Sequence, residues 1–231
     1  MTQPDTNGTH HTIFPSDHPL AGLEAEVNQL RETGRIFWQR GWSVGTSSNF
    51  SLVLRSQPLE LLITASGKDK GRLDHGDFVR IGADGAPLVP EQPKSSAESL
   101  LHVAAAQALE VGCVLHTHSV WATELSELYA AEGGIRIEGY EMLKGLAGVK
   151  THETSFWLEI FDNTQDIPRL AAEVVNRLTA RQQPLLHGYL IRRHGLYTWG
   201  RDVAEARRHV EILEFLLECV ARRRMLQAAH I

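Results

Sequence analysis

Apolar residues recur at two different spacings along this chain, and the way the two alternate constrains the fold more than any other feature. Residues 20–40 carry Leu23, Val27, Leu30, Ile36 and Phe37 near helical spacing, and Gly41 closes the run. Short β-like runs follow at 50–54, 59–64 and 78–81, the last leading into the turn pair Asp84-Gly85. Further on, helices are expected at 98–109, 121–131 and 167–178, with a short helical stretch at 140–146. Pro168 falls in a first turn, where its missing N–H costs little. Strands are expected at 111–117, 156–161, 185–191 and 196–199. A long helix, 203–226, ends the pattern. Asp202 and Glu205 have the spacing of a capping pair, and Val210, Leu213, Leu217 and Val220 form one buried stripe. Interleaved strands and helices predict a layered α/β or α+β domain. No repeat or low-complexity linker divides the chain. With 231 residues and 42% hydrophobic content, it has enough apolar material for one large core, placed here at 19–231. The polar segment 1–18 reads as a flexible tail.

The charge pattern narrows the function. Net charge is −5, and lysine and arginine are dispersed rather than gathered in a stripe. Neither a nucleic-acid partner nor a membrane partner is expected. No apolar run is long enough to span a bilayer, and the start from Met1 to Phe14 has neither an apolar signal region nor a basic lead. Cys113 and Cys219 lie in apolar segments, as two buried thiols in a reducing cytoplasm would.

The chemistry concentrates at His116-Thr117-His118, which ends the apolar run Cys113-Val114-Leu115. Side chains alternate along a strand, so His116 and His118 share a face and Cys113 points away. A third histidine, His194, falls in a strand-to-strand turn before Gly195. Three neutral imidazoles with an open fourth position would make a catalytic zinc site. Each signal alone also fits an ordinary polar residue at a strand end. Glu141 lies in Gly139-Tyr140-Glu141-Met142-Leu143-Lys144-Gly145. Partial burial there would raise its pKa and suit acid/base work. Glu98 follows Ser95-Ser96 at a helix start and reads either as a first-turn acid or as a neighbour of a phosphate-binding N-terminus. Two further small polar loops, 45–51 and 64–68, contain Ser48, Asn49, Ser66 and Gly67, types that let a backbone approach an anion.

In chain order, these segments resemble the class II aldolase/adducin-like family. The resemblance rests on Ser48-Asn49-Phe50-Ser51, Ile63-Thr64-Ala65-Ser66-Gly67 with Asp69-Lys70-Gly71, Ser95-Ser96-Ala97-Glu98, His116-Thr117-His118, His194-Gly195, Trp199-Gly200 and Glu205-Ala206. It implies a three-layer α/β/α fold around a central, mainly antiparallel sheet. It also implies one Zn2+ per subunit on His116, His118 and His194, and a phosphorylated ketose held by Ser48, Asn49, Ser66, Gly67, Ser96 and Glu98. The expected assembly is a homotetramer with active sites between subunits. Tyr140-Glu141-Met142-Leu143-Lys144-Gly145 and the run from His194 to Gly200 resemble the branch that dehydrates a 2-ketose 1-phosphate carrying a methylthio group at C5. In that branch the glutamate matching Glu141 is the acid/base. In the aldolases it is the one after the paired serines, here Glu98. The alternatives are an aldolase or 4-epimerase on a related ketose phosphate and, more remotely, a non-catalytic interaction domain like the adducin head. The first loop departs from the pattern, with Ser47-Ser48 where many members have glycines, and Ala97 separates Ser96 from Glu98.

Overall fold

A computed structural model describes residues 13–182 and 185–229. The element order is α1 (Glu24–Gln39), β1 (Asn49–Ser56), β2 (Leu59–Thr64), β3 (Phe78–Ile81), α2 (Ser99–Ala108), β4 (Cys113–Thr117), α3 (Val120–Leu128), β5 (Gly134–Glu138), β6 (Ser155–Phe161), α4 (Ile167–Leu178), β7 (Gly188–Ile191), β8 (Gly195–Gly200) and α5 (Val203–Ala228). The eight strands form one sheet in the order β3-β2-β1-β4-β8-β7-β6-β5. Every neighbouring pair is antiparallel except β6 with β7. This is the mainly antiparallel sheet expected, with helices on both faces.

Strand alternation separates the two faces. Cys113 and Leu115 pack with Val27, Phe37 and Val210 from α1 and α5, whereas Val114 packs with Leu101 of α2 and Leu170 of α4. Leu62 joins the first cluster, while Leu61 and Ile63 join a cluster that includes Val103 of α2. Cys113 therefore faces away from the histidines, as its parity predicts. Asp202 caps α5 by accepting from Glu205 N (2.8 Å), and Glu205 accepts from Arg201 N (2.9 Å).

Several expectations shift. Phe14 lies in the segment read as a tail, yet it is buried in the α1 cluster and stacks on His18 at 4.5 Å. The rest of that segment up to residue 12 lies outside the described residues. β5 was not anticipated, although Ile135 and Ile137 are buried while Arg136 and Glu138 are exposed, a clear period of two. Cys219 is only half-buried. The strand expected at 185–191 is ordered as a strand only from Gly188.

Candidate metal centre

The sheet order places the site. β4 lies between β1 and β8, and His116 is the register partner of Asn49 on one side and Tyr197 on the other. β8 approaches β4 so closely that a Cβ on Gly195 would sit 1.9 Å from the Thr117 carbonyl oxygen, so no other residue fits beside His194. Crossing this central part of the sheet brings His116, His118 and His194 together, with one nitrogen from each within 4.8 Å of the others.

Two observations test whether these residues fit a cation. His116 Nδ1 donates to the Leu196 carbonyl (3.0 Å), so its Nε2 lone pair faces the cluster. His116 Nε2 and His194 Nε2 are 3.3 Å apart, close to the roughly 3.3 Å edge expected between two nitrogens on one tetrahedral ion. His116 and His118 are also held neutral. Burial, then His118 and His194, pushes His116 well below the ordinary histidine range. Burial, His194 and Lys70 pull His118 down to about 4. Neutral imidazole is the form that binds metal. Tyr197 stacks flat on His116, with centroids 4.0 Å apart, and locks its ring plane.

Glu98 is the carboxylate beside the cluster. Its Oε1 is 3.1 Å from His194 Nε2 and its Oε2 is 3.6 Å from His116 Nε2. Glu98 stands at the N-cap of α2, but its side chain does not cap the helix. Instead, Asn49 Nδ2 donates to Glu98 Oε2 (2.8 Å) and to Ser96 Oγ (3.2 Å). Asn49 Oδ1 accepts from His102 Nε2, and His102 Nδ1 accepts from Ser51 Oγ (2.7 Å). Burial drops His102 to about 3, so it stays neutral and this donor order is fixed. Ser51, His102 and Asn49 thus orient Glu98 through one chain of hydrogen bonds.

A cleft of about 300 Å³ opens over the cluster. Ser48, Asn49, Ser66, Gly67, Ser96 and Glu98 all line it, together with His118, His194, Lys70 and the segment 163–165. Ser48 has a φ of 70°, the left-handed conformation that a glycine would adopt freely. The polar segment 163–165, after β6, escaped the sequence reading, although a polar turn following an apolar strand was the available signal.

Glu141 is placed differently from expectation. It begins a short 3-10 turn, Glu141–Gly145, and is exposed rather than partly buried. Lys144 donates to it at 2.6 Å and His152 lies 3.3 Å away. The Lys144 ammonium holds its carboxyl below the ordinary glutamate range, the opposite of the rise that burial would give. Glu141 does not line the histidine cleft.

The sequence matches the family described as Class II Aldolase and Adducin N-terminal domain over residues 28–221. The chain belongs to the class II aldolase/adducin family. Among its relatives in this family are enzymes named methylthioribulose-1-phosphate dehydratase. That of Xanthomonas campestris is 50% identical over 209 residues, covering 90% of this chain and 94% of the relative. The Marinobacter nauticus enzyme is 49% identical over 194 residues, covering 84% and 91%. The Stenotrophomonas maltophilia enzyme is 47% identical over 215 residues, covering 93% and 97%. Among solved structures, an L-fuculose-1-phosphate aldolase from Thermus thermophilus superposes with a TM-score of 0.70 at 21% identity, over 88% of this chain and 98% of the other. A sugar-phosphate aldolase from Thermotoga maritima gives 0.64 at 18% identity, over 88% and 97%. At these identities the structural likeness carries the fold alone.

Proposed function

We propose that this protein is a metal-dependent hydro-lyase that converts 5-methylthioribulose 1-phosphate to 2,3-diketo-5-methylthiopentyl 1-phosphate and water, a step of methionine salvage. The observation that carries this reading is near-50% identity, over nine-tenths of both chains, to an enzyme named for that dehydration. The three-histidine cluster supplies a fitting site, and a donor set of three imidazoles suits Zn2+, one per subunit.

A cation held by His116, His118 and His194 would polarise the C2 carbonyl and stabilise negative charge as the C3 proton departs. The chain's own groups do the rest. Ser48, Ser66, Gly67 and Ser96 present hydroxyls and backbone to the phosphate end of the cleft. Asn49 holds Glu98 beside the histidines, where the carboxylate can orient substrate hydroxyls. We assign Glu141, a carboxylate beside Lys144, to accept the C3 proton and to pass it to the C4 hydroxyl, which leaves as water. The enol left behind takes a proton at C4, gives up the one on its C3 hydroxyl and becomes the second ketone.

Glu141 does not line its own chain's cleft, so in this reading it serves the cleft of a neighbouring copy. Met142 beside it and Trp157 are exposed apolar side chains, at 38% and 44%, of the kind a neighbouring chain covers. We infer a homotetramer with active sites between subunits. Among the described residues no helix is long and apolar enough to cross a membrane, and we place the enzyme in the cytoplasm.

A second reading has one observation in its favour. Glu98 lies where an aldolase acid/base would, against two of the three histidines. Cleavage of the C3–C4 bond on the same site would make the protein an aldolase. Incubation of the purified protein with 5-methylthioribulose 1-phosphate and, separately, with L-fuculose 1-phosphate decides between them. The dehydratase reading expects turnover of the first to a diketone. Turnover of the second alone, to an aldehyde and dihydroxyacetone phosphate, would establish the aldolase.

A further inference from the structure

Among the described residues, Lys70 is a buried cation without a counter-ion. Its side chain is 1% exposed, yet it lines the cleft above the histidines. The ammonium has three donors, and among the described residues one is used: Nζ donates to the Lys68 carbonyl at 2.6 Å. Among the described residues no carboxylate lies within ion-pair distance of it. The nearby acids are committed elsewhere. Asp77 pairs with Lys68 at 2.7 Å, Asp69 accepts from Gly71 N at 2.9 Å, and Glu98 faces the histidines. A buried ammonium left this way costs stability, because the lost hydration is not replaced. Burial accordingly pulls it down to about 8, against the opposing pull of Asp69 and Asp77.

The backbone holds the lysine in this position rather than letting it swing out to water. Lys70 opens a short 3-10 turn, Lys70–Arg72, capped by Asp69. That turn is pressed against α1, where a Cβ on Gly34 would come within 2.4 Å of the Lys70 carbonyl oxygen. A preorganised, underused cation at the wall of a polar cleft is what an anionic ligand requires. Ser66 and Gly67, a few residues upstream, line the same cleft, as does Ser48.

We propose that the Lys70 ammonium is a substrate-binding residue that receives the phosphate of the ketose phosphate. The proposal rests on the functional reading above. In that reaction the phosphate is the one permanent anion on the substrate, whereas the charge formed at C2 and C3 is transient and faces the histidine cluster. The dianion fills the two idle donors of Lys70 and supplies its missing counter-charge, and the neighbouring serines provide neutral donors.

The test is Lys70→Met in the metal-loaded protein, with Lys70→Gln as a second variant should methionine pack badly. For 5-methylthioribulose 1-phosphate, KM should rise about 10–100-fold, the worth of one charge-assisted hydrogen bond. Metal content should be unchanged and kcat should fall only a few-fold. Without substrate the melting temperature should hold or rise, since an unpaired buried charge has been removed. The gain in melting temperature on adding substrate should shrink. An unchanged KM would overturn the proposal. So would a fall in kcat alone, which would place Lys70 in the chemistry, or a lower melting temperature with wild-type KM, which would make it structural. If wild-type protein does not turn over this substrate, the functional reading fails by itself. Calorimetric titration with inorganic phosphate then still tests Lys70: affinity should drop about 10–100-fold in the variant, and equal affinity would sink the assignment.

Discussion

Replacing Glu214 with glutamine should stabilise the protein at alkaline pH and do much less in mild acid. Glu214 lies on α5, is 1% exposed, and accepts from Thr117 Oγ1 at 2.8 Å, on the strand β4 that carries His116. Burial pushes its carboxyl from about 4.5 up to about 7, with the Ser119 and Thr117 hydroxyls opposing the rise. The folded chain therefore holds this proton more tightly than the unfolded chain does. Its stabilising contribution is complete below about pH 4.5 and is lost as pH rises through about 7. Each tenfold difference in proton affinity is worth about 1.4 kcal/mol, so the full cost is roughly 3 kcal/mol, and the part falling between pH 5.5 and pH 8 is roughly 2 kcal/mol. Glutamine keeps an oxygen for Thr117 and cannot ionise. Urea denaturation of metal-stripped wild type and Glu214→Gln at the two pH values gives the stability difference at each. That difference should grow in favour of the variant by about 2 kcal/mol on going to pH 8. A pH-independent difference, or growth in favour of the wild type, would refute the reasoning.

The two glutamates separate dehydration from cleavage. Glu141→Gln should retain fold and metal but lose about 10²–10⁴ in turnover of 5-methylthioribulose 1-phosphate, and Glu98→Gln should lose much less; a dead Glu98→Gln beside an active Glu141→Gln would transfer the acid/base role to Glu98. If Glu141 acts from a neighbouring copy, mixing inactive Glu141→Gln with an inactive His194→Ala variant under subunit exchange should restore turnover. Light scattering should report four chains, and an active monomer would contradict that arrangement.

The shared face of His116 and His118 was legible because strand parity is a local rule. Cys113, His116 and His118 fell on the faces that alternation assigns. The partnership of His194 with them was not legible from spacing, because it depends on β8 pairing with β4 across about eighty residues of chain. A second long-range pairing, β1 with β4, sets Asn49 opposite His116 and so brings Glu98 to the cluster. No local pattern announces that. Glu141 misled because the apolar residues flanking it suggested burial, whereas the 3-10 turn buries Leu143 and leaves the carboxylate outside with Lys144. β5 carried its alternation openly in Ile135 and Ile137, but a five-residue run after paired glycines is easily taken for a turn. Phe14 had no periodic partners in sequence, and its burial depends on α1 and the loop at Leu73.

In the proposed reaction His116, His118 and His194 hold the cation on which dehydration depends. The direct measurement is to strip the protein with a strong chelator and follow 5-methylthioribulose 1-phosphate by phosphorus NMR, before and after adding back zinc. The stripped protein should give no diketone, recover with about one zinc per chain, and fail to recover in His116→Ala. Undiminished turnover by protein shown to be metal-free would contradict that reading.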